Sequence, residues 1–411
     1  MRIDADTLIP GDGEPLQDAA VIVRDGRIDW VGPIDQAPAE AGASDVRVPW
    51  LMPGLWDCHT HMTGLTNTTL DDVMRVPVPL AAARATRDAA RALDAGVTSV
   101  REVGGYGIHL APAIDEGAVR GPRVYAAGDL ISPTGGHADL HGYSTGCMAD
   151  LSARGGWLHT CDGIAECLKA VRLQLRRGAR LIKVCASGGV LTTYDDPHHQ
   201  QFSDAELATM VEEAARAERI VAAHCHGKAG ILAALRAGVR TIEHGTFLDE
   251  ECADAMREAG AILVTTRFVK ERMPEHGRRT GLPDYAYRKL LDTAEDHRRA
   301  VSLAIERGVR IASGTDTLTS GDASALPWGL HGQEPGFLVD CGMTPLAAIR
   351  AATADAPATL GPQAPRSGCI RPGYDADLIA LAADPLDDIG VLARADQVTH
   401  VWQAGARVKP R

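Results

Sequence analysis

The chain has 411 residues, 45% of them hydrophobic, which is enough for a large core and more than one core's worth of length. Its 42 basic and 54 acidic side chains leave a net charge of −12, which argues against nucleic acid or an anionic membrane surface as a partner. No apolar run approaches the roughly 18 residues of a membrane span. The opening MRIDADTLIPGDG lacks the cationic-then-apolar pattern of a secretion signal, and nine scattered cysteines without a CxxC pair predict free thiols in a reducing cytoplasm.

Residues 1–53 carry AAVIVRDGRIDWVGP, which reads as two strands about an Asp-Gly turn. From residue 54 the pattern changes to short β-branched runs, each followed by a Gly-containing loop and an Ala/Leu/Arg/Glu-rich helical stretch. The runs are GLWDCHTHM (54–62), VTSVREVGG (97–105), RVYAAGDLIS (123–132), RLIKVCASGG (180–189), IVAAHCHG (220–227), VRTIEHGT (239–246), AILVTTRF (261–268) and VRIASGTD (309–316). Between them lie AAARATRDAARALDAG, CLKAVRLQLRRGA, SDAELATMVEEAARAER, GKAGILAALRAG, DEECADAMREAG and YRKLLDTAEDHRRAVSLAIERG. Several of these end in Gly, the usual C-terminal stop, and Ser203 with Glu206 forms a capping box. Near the end, GCIRPGYDADLIALAADP and THVWQAGARV again read as short strands.

Eight strand–helix units predict a parallel sheet closed into a (β/α)8 TIM barrel over 54–363. An open doubly wound sheet is the alternative. It would place a glycine-rich phosphate turn after its first strand, and none follows GLWDCHTHM. Neither chain end is long enough for its own core, so 1–53 and 364–411 are expected to join in one small β-sandwich domain.

The unusual polar residues fall at matching places. In a strand, residues i and i+2 share a face, so His59 and His61 project together, about 7 Å apart along the chain. Lys183, His224, His244 and Asp316 each lie in the C-terminal half of a run or at its end. In a barrel those ends converge on one face. Four histidines, a lysine and an aspartate meeting there favour a metal site over separate structural roles.

The set HxH, IKV, HCHG, EHGT and SGTD, in that order, resembles the metal-dependent amidohydrolase superfamily, and within it the imidazolonepropionase-related branch with its dipeptidases and carboxypeptidase-like amide hydrolases. The closing GYDADLIAL fits the same pattern, and the resemblance spans essentially the whole chain. It implies two divalent cations, zinc by the donor chemistry, with manganese, cobalt and iron open. His59, His61 and Asp316 would hold one and His224 and His244 the other, with Lys183 bridging both after CO2 has converted it to an N-carboxylated lysine. It also implies Asp316 as the proton carrier of amide hydrolysis and His137 as a hydrogen-bond donor to the substrate carbonyl. A loop histidine capping backbone is the other role open to His137.

His226 shares the face of His224 and is a candidate contact to substrate or to a residue that supports the site; some peptidases of this branch carry Tyr there, which puts their exact specificity in doubt for this chain. Asp57 shares the face of His59 and is expected to support the site from behind. Cys58 and Cys225 should face the helices, and Cys185 should fill core. Three long loops follow runs three, seven and eight. In the run-seven loop, Arg267, with Lys270 and Arg272 nearby, is a candidate clamp for a substrate carboxylate, a solvated basic face being the alternative; Tyr194 is a second candidate contact. The expected reaction is hydrolysis of an amide in a small molecule: a dipeptide, an N-acyl amino acid or an aryl amide. A cyclic amide, urea, carbamate or ester is the alternative on the same site, and a barrel that has lost catalysis is the third reading. A cytoplasmic homo-oligomer without nucleic-acid or membrane partners completes the expectation.

Overall fold

The computed structural model describes residues 1–39 and 42–409. Its strands are β1 (Arg2–Leu8), β2 (Leu16–Arg24), β3 (Arg27–Pro33), β4 (Val46–Pro53), β5 (Leu55–Leu65), β6 (Val97–Glu102), β7 (Arg123–Ala126), β8 (Leu130–Ser132) and β9 (Leu158–Thr160). They continue as β10 (Ile182–Cys185), β11 (Val221–Cys225), β12 (Thr241–His244), β13 (Ile262–Val264), β14 (Arg310–Ala312), β15 (Thr317–Thr319), β16 (Leu378–Leu381), β17 (Val398–Gln403) and β18 (Ala406–Arg407).

The barrel is an α/β assembly of parallel strands. β5, β6 and β7 pair in one arc, with β15 outside β5, and β8, β10, β11, β12, β13 and β14 pair in the other, with β9 outside β8. Backbone hydrogen bonds bridge the arcs on both sides: Cys58 N to Ser313 O at 2.9 Å, and Arg180 N to Ala126 O at 2.8 Å. The third sequence run is split. Its first half, β7, pairs with β6, and its second half, β8, pairs with β10. The break is held from outside, where Gln174 Oε1 accepts from Asp129 N at 3.0 Å.

The helices that the sequence patterns mark are α1 (Val78–Asp94), α4 (Gly163–Arg176), α5 (Asp204–Arg216), α6 (Lys228–Arg236), α7 (Glu250–Ala259) and α9 (Asp284–Glu306). The Ser203–Glu206 capping box is formed, and α7 stops at Gly260, whose left-handed backbone (φ +61°) returns its N–H to Met256 and Arg257. The loops hold further elements: α2 (Gly107–Asp115), α3 (Thr145–Ala153), α8 (Arg267–His276), α10 (Gln333–Asp340) and α11 (Pro345–Ala351). The stretch after the seventh run is thus a helix, α8, rather than an open loop.

Alternation along the strands sorts the core. Val184, Ala223, Cys225, Ile242 and Leu263 face outward and pack under α4 to α7, while the intervening Lys183, His224 and Glu243 face the barrel axis. Both chain ends build one seven-stranded sheet, ordered β18-β17-β16-β4-β1-β2-β3. Ile379, Leu381 and Val401 press one face of it onto α1 and β6. Leu378, Ala380 and Trp402 bury the other against β1, β2 and β4. The sheet curls onto itself: Ile28 of β3 bonds to Tyr374 O and accepts from Gly373 N, just ahead of β16. This is the sandwich expected from the termini.

Gly64, near the end of β5, has φ +68°, and a Cβ there would lie 2.1 Å from the Ala81 carbonyl oxygen of α1. Gly64→Ala should therefore lose about 2 kcal/mol or more of stability, read as a lower urea midpoint; an unchanged midpoint would contradict this close approach.

Candidate metal centre

The C-terminal ends of the barrel strands bring His59, His61, Lys183, His224, His226, His244 and Asp316 to the wall of one cleft. His137 lines it as well. Most of the remaining wall is apolar, including Leu70, Trp157, Val269, Met273, Leu282 and Leu290.

Each imidazole is oriented by the nitrogen that faces away from its neighbours. His59 Nδ1 donates to Glu243 Oε2 at 2.7 Å, His61 Nδ1 to Gly104 O at 2.7 Å, and His224 Nε2 to Gly188 O at 3.3 Å. These oxygens only accept, so the proton sits on that outer nitrogen and the inner nitrogen presents a lone pair. His244 Nδ1 meets Thr266 Oγ1 at 2.8 Å. Burial pushes His59 down to about 4 and holds His224 and His244 well below the usual histidine range, so the rings are neutral.

The inner atoms then face one another without a proton to share. His59 Nε2 and His61 Nε2 are 3.3 Å apart, and Asp316 Oδ1 lies 3.5 Å from the first and 3.2 Å from the second. Three acceptors this close repel unless a cation lies among them. Ligands held about 2.1 Å from a divalent ion at tetrahedral angles lie about 3.4 Å apart. A second pair, His224 Nδ1 and His244 Nε2, is 3.0 Å apart, and His226 offers a further nitrogen within 4.8 Å of both rings. Lys183, 1% exposed, has an Nζ without a hydrogen-bond partner among the described residues. Burial lowers its pKa, which favours the neutral, nucleophilic amine. The donor set therefore fits a pair of cations, and the orphaned amine fits conversion to an anion between them.

The backbone is bent to make this possible. His244 follows inward-facing Glu243 and by simple alternation would point outward, but its φ of +71° turns the chain at the strand end. Thr266 and Asp316 are also left-handed, at +55° and +60°. Asp316 is fixed by its N–H to His59 O at 2.8 Å. Asp57 fixes the residue before it, accepting from Thr315 Oγ1 at 2.6 Å and Thr315 N at 3.1 Å while taking His59 N at 3.0 Å.

His137 stacks on His224, with ring centroids 4.2 Å apart. Its Nδ1 contacts Thr192 Oγ1 at 2.8 Å and Asp195 Oδ2 at 3.4 Å. Asp195 also holds Gly189 N, and Lys289 of α9 ties the loop by donating to Thr192 O at 2.9 Å and Asp195 O at 2.5 Å. His226 Nδ1 meets Thr246 Oγ1 at 2.6 Å. Cys225 faces the helices as expected, but Cys58 does not: it packs in the barrel interior with Leu181, Ala222, Val264 and Leu360, its Sγ 3.8 Å from Ala356 O and 3.7 Å from Thr359 Oγ1. Cys185 is buried in an apolar cluster with Leu158.

Two residues singled out from sequence lie elsewhere. Tyr194 is 82% exposed and stacks on His141. Arg267 opens α8 and is buried, but its guanidinium is committed to His297 Nδ1 at 2.8 Å and to Glu271. One helical turn on, Lys270 does line the cleft. Sequence reasoning missed Glu243 and Arg101. Arg101 Nη2 donates to both Glu243 oxygens at 2.7 Å, and both side chains are fully buried. Burial alone would raise the Glu243 carboxyl, but Arg101, helped by the hydrogen bond from His59, holds it well below the usual range. The available signal was a charge inside each of two otherwise buried strands, VTSVRE and TIEH.

A family model described as the amidohydrolase family matches residues 50–408. Ochratoxinase of Aspergillus niger is 45% identical over 423 residues, covering 99% of this chain and 86% of that protein. The crystal structure of A. niger ochratoxinase superposes with a TM-score of 0.90 at 43% identity, covering 99% of this chain and 94% of that one. A prolidase crystallised with N-methylphosphonate-L-proline superposes with a TM-score of 0.90 at 30% identity, covering 100% of both chains.

Glu243→Gln would leave the Arg101 guanidinium buried without its counter-charge. It should cost the metal-free protein about 3–5 kcal/mol, measured by urea unfolding, whereas a midpoint equal to the parent's would show that the pair carries no such weight.

Proposed function

The chain belongs to the amidohydrolase family, and from that premise we propose that it cleaves an amide bond in a small molecule, with two divalent cations bound at the barrel mouth. That it is a hydrolase of carbon–nitrogen bonds follows from the family and from its ochratoxinase and prolidase relatives. The finer reading assigns His59, His61 and Asp316 to one cation and His224 and His244 to the other. The observation that carries it is the ring of inner lone pairs, each fixed by an outer hydrogen bond. Neutral Lys183 attacks CO2 through Nζ, forms an N–C bond and loses a proton. The resulting carbamate would supply two oxygen donors to bound cations. Imidazole and carboxylate donors suit zinc.

Bound cations supply Lewis acidity, polarising the carbonyl and lowering the pKa of water. The protein's own groups do the rest. Asp316 accepts the proton of the attacking water and returns it to the leaving nitrogen, which an amide requires because its anion is a very poor leaving group. His137, its Nδ1 side tied to Thr192 and Asp195, turns its other nitrogen to the substrate oxygen. His226 closes the site beside it. The apolar wall excludes water and takes up the hydrocarbon part of the substrate.

The similarity to proteins named ochratoxinase and prolidase supports testing an acyclic amide ahead of a lactam, urea, carbamate or ester. Ochratoxin and N-acyl amino acids are therefore the first substrates to test. The nine cysteines are free thiols, which supports a reducing, cytoplasmic setting.

Metal analysis of the purified protein should give close to two equivalents of zinc. Exhaustive chelation should abolish amide hydrolysis, and zinc with bicarbonate should restore it. Asp316→Asn should lower kcat about 10³-fold or more. Full turnover after chelation, or in the Asp316 variant, would end this reading.

A further inference from the structure

Lys270 has a charge that the protein leaves unmatched. Its side chain is 4% exposed, and among the described residues its Nζ has one hydrogen-bond partner, Thr293 Oγ1 at 2.8 Å. The Thr293 hydroxyl gives its own proton to Lys289 O or Leu290 O, at 2.7 and 3.1 Å, so it serves the lysine as an acceptor. An ammonium has three donors, and two of them find no protein partner. The carboxylates in this part of the fold are engaged. Glu271 pairs with Arg267. Glu334 accepts from Thr265 Oγ1, Arg267 N and Phe268 N. Asp316 lies against His59 and His61.

The surroundings say what would complete the site. Lys270 lines the same cleft as the imidazoles, flanked on α8 by Val269 and Met273 and faced by Leu282 and Leu290. A cation set in an apolar wall is costly without a partner, and burial lowers this amine to about 7. A ligand that enters with an anionic, acceptor-only group removes that cost, and a carboxylate matches the unused donors.

We propose that Lys270 anchors a free carboxylate of the substrate, so that the site takes N-acyl amino acids and dipeptides with an apolar side chain against the Leu/Val/Met wall. The word substrate rests on the amide-hydrolase reading above; the anchoring itself does not.

The test uses the zinc-loaded protein and matched pairs of ligands: N-acetyl, N-benzoyl and N-naphthoyl derivatives of L-leucine and the N-methylamide of each. Binding is read by calorimetry, and release of the acyl acid is followed in the same samples. The parent should bind at least one free acid about 10–100-fold more tightly than its N-methylamide. Lys270→Met should erase that preference and leave N-methylamide binding, zinc content and melting temperature unchanged. Lys270→Arg should keep part of it. Lys270→Gln, which can still donate to Thr293, replaces the methionine variant if that does not fold. A parent without preference for any acid, or a folded and metallated Lys270→Met or Lys270→Gln with undiminished preference, overturns the proposal. Carboxylate-selective binding without acyl release would instead overturn the hydrolytic reading and leave the anchor in place.

Discussion

The site depends on one buried carboxylate. Glu243 faces the barrel interior and accepts from the guanidinium of Arg101 on both oxygens, from the imidazole of His59 on Oε2, and from Thr241 Oγ1 on Oε1 at 2.7 Å. An isolated carboxylate at this depth would be too costly to keep ionised. Arg101 makes it affordable, and is itself fixed by Cys58 O at 2.5 Å and Thr241 Oγ1 at 3.0 Å. The ionised Glu243 in turn takes the Nδ1 proton of His59, which leaves the opposite nitrogen free to ligate. The orientation of the His59 imidazole is thus set one layer down, by the buried Arg101–Glu243 charge pair.

Around this layer the chain accepts local strain. Three residues without glycine's freedom, His244, Thr266 and Asp316, hold left-handed backbone at the ends of neighbouring strands. Such conformations cost of order 1–3 kcal/mol each and persist where surrounding contacts over-determine them. Those contacts are present: Gly245 N bonds to Cys225 O at 2.9 Å, Asp316 N bonds to His59 O, and the Thr266 hydroxyl meets His244. The strain places two candidate ligands, His244 and Asp316, in positions that a regular strand would deny them.

The parts of the site visible in sequence obey a period, fall at the ends of the β-branched runs, as Lys183, His244 and Asp316 do, or belong to a motif of the resemblance, as His137 does. His59 and His61, like His224 and His226, share a face because strands alternate, and the eight runs stand out because each couples β-branched residues to a helix with a stop. Partners defined only in space were not legible. Nothing in VTSVRE says that its arginine will meet the glutamate of TIEH, since their strands are distant in the chain. The RFVKERMPEH stretch falls in the long loop expected after the seventh run. Folded as a helix, it directs Arg267 to the packed interior and Lys270 to the cleft. Tyr194 stands on a loop tip whose course is set by Asp195 and Lys289, interactions that no local pattern announces. The split third run was equally hidden, because its break is stabilised by Gln174 from α4.

The curled terminal sheet has a consequence for synthesis. β4 pairs with β1 on one side and with β16 on the other. The ribosome completes β4 at Pro53 and reaches β16 only at Leu378. At 5–20 residues per second that interval is roughly a quarter of a minute to a minute. Throughout it, an apolar strand carrying Leu51 and Met52 has an unfilled edge, open to wrong partners. The nascent barrel, whose α1 packs on that sheet, must shelter it until the last strands arrive.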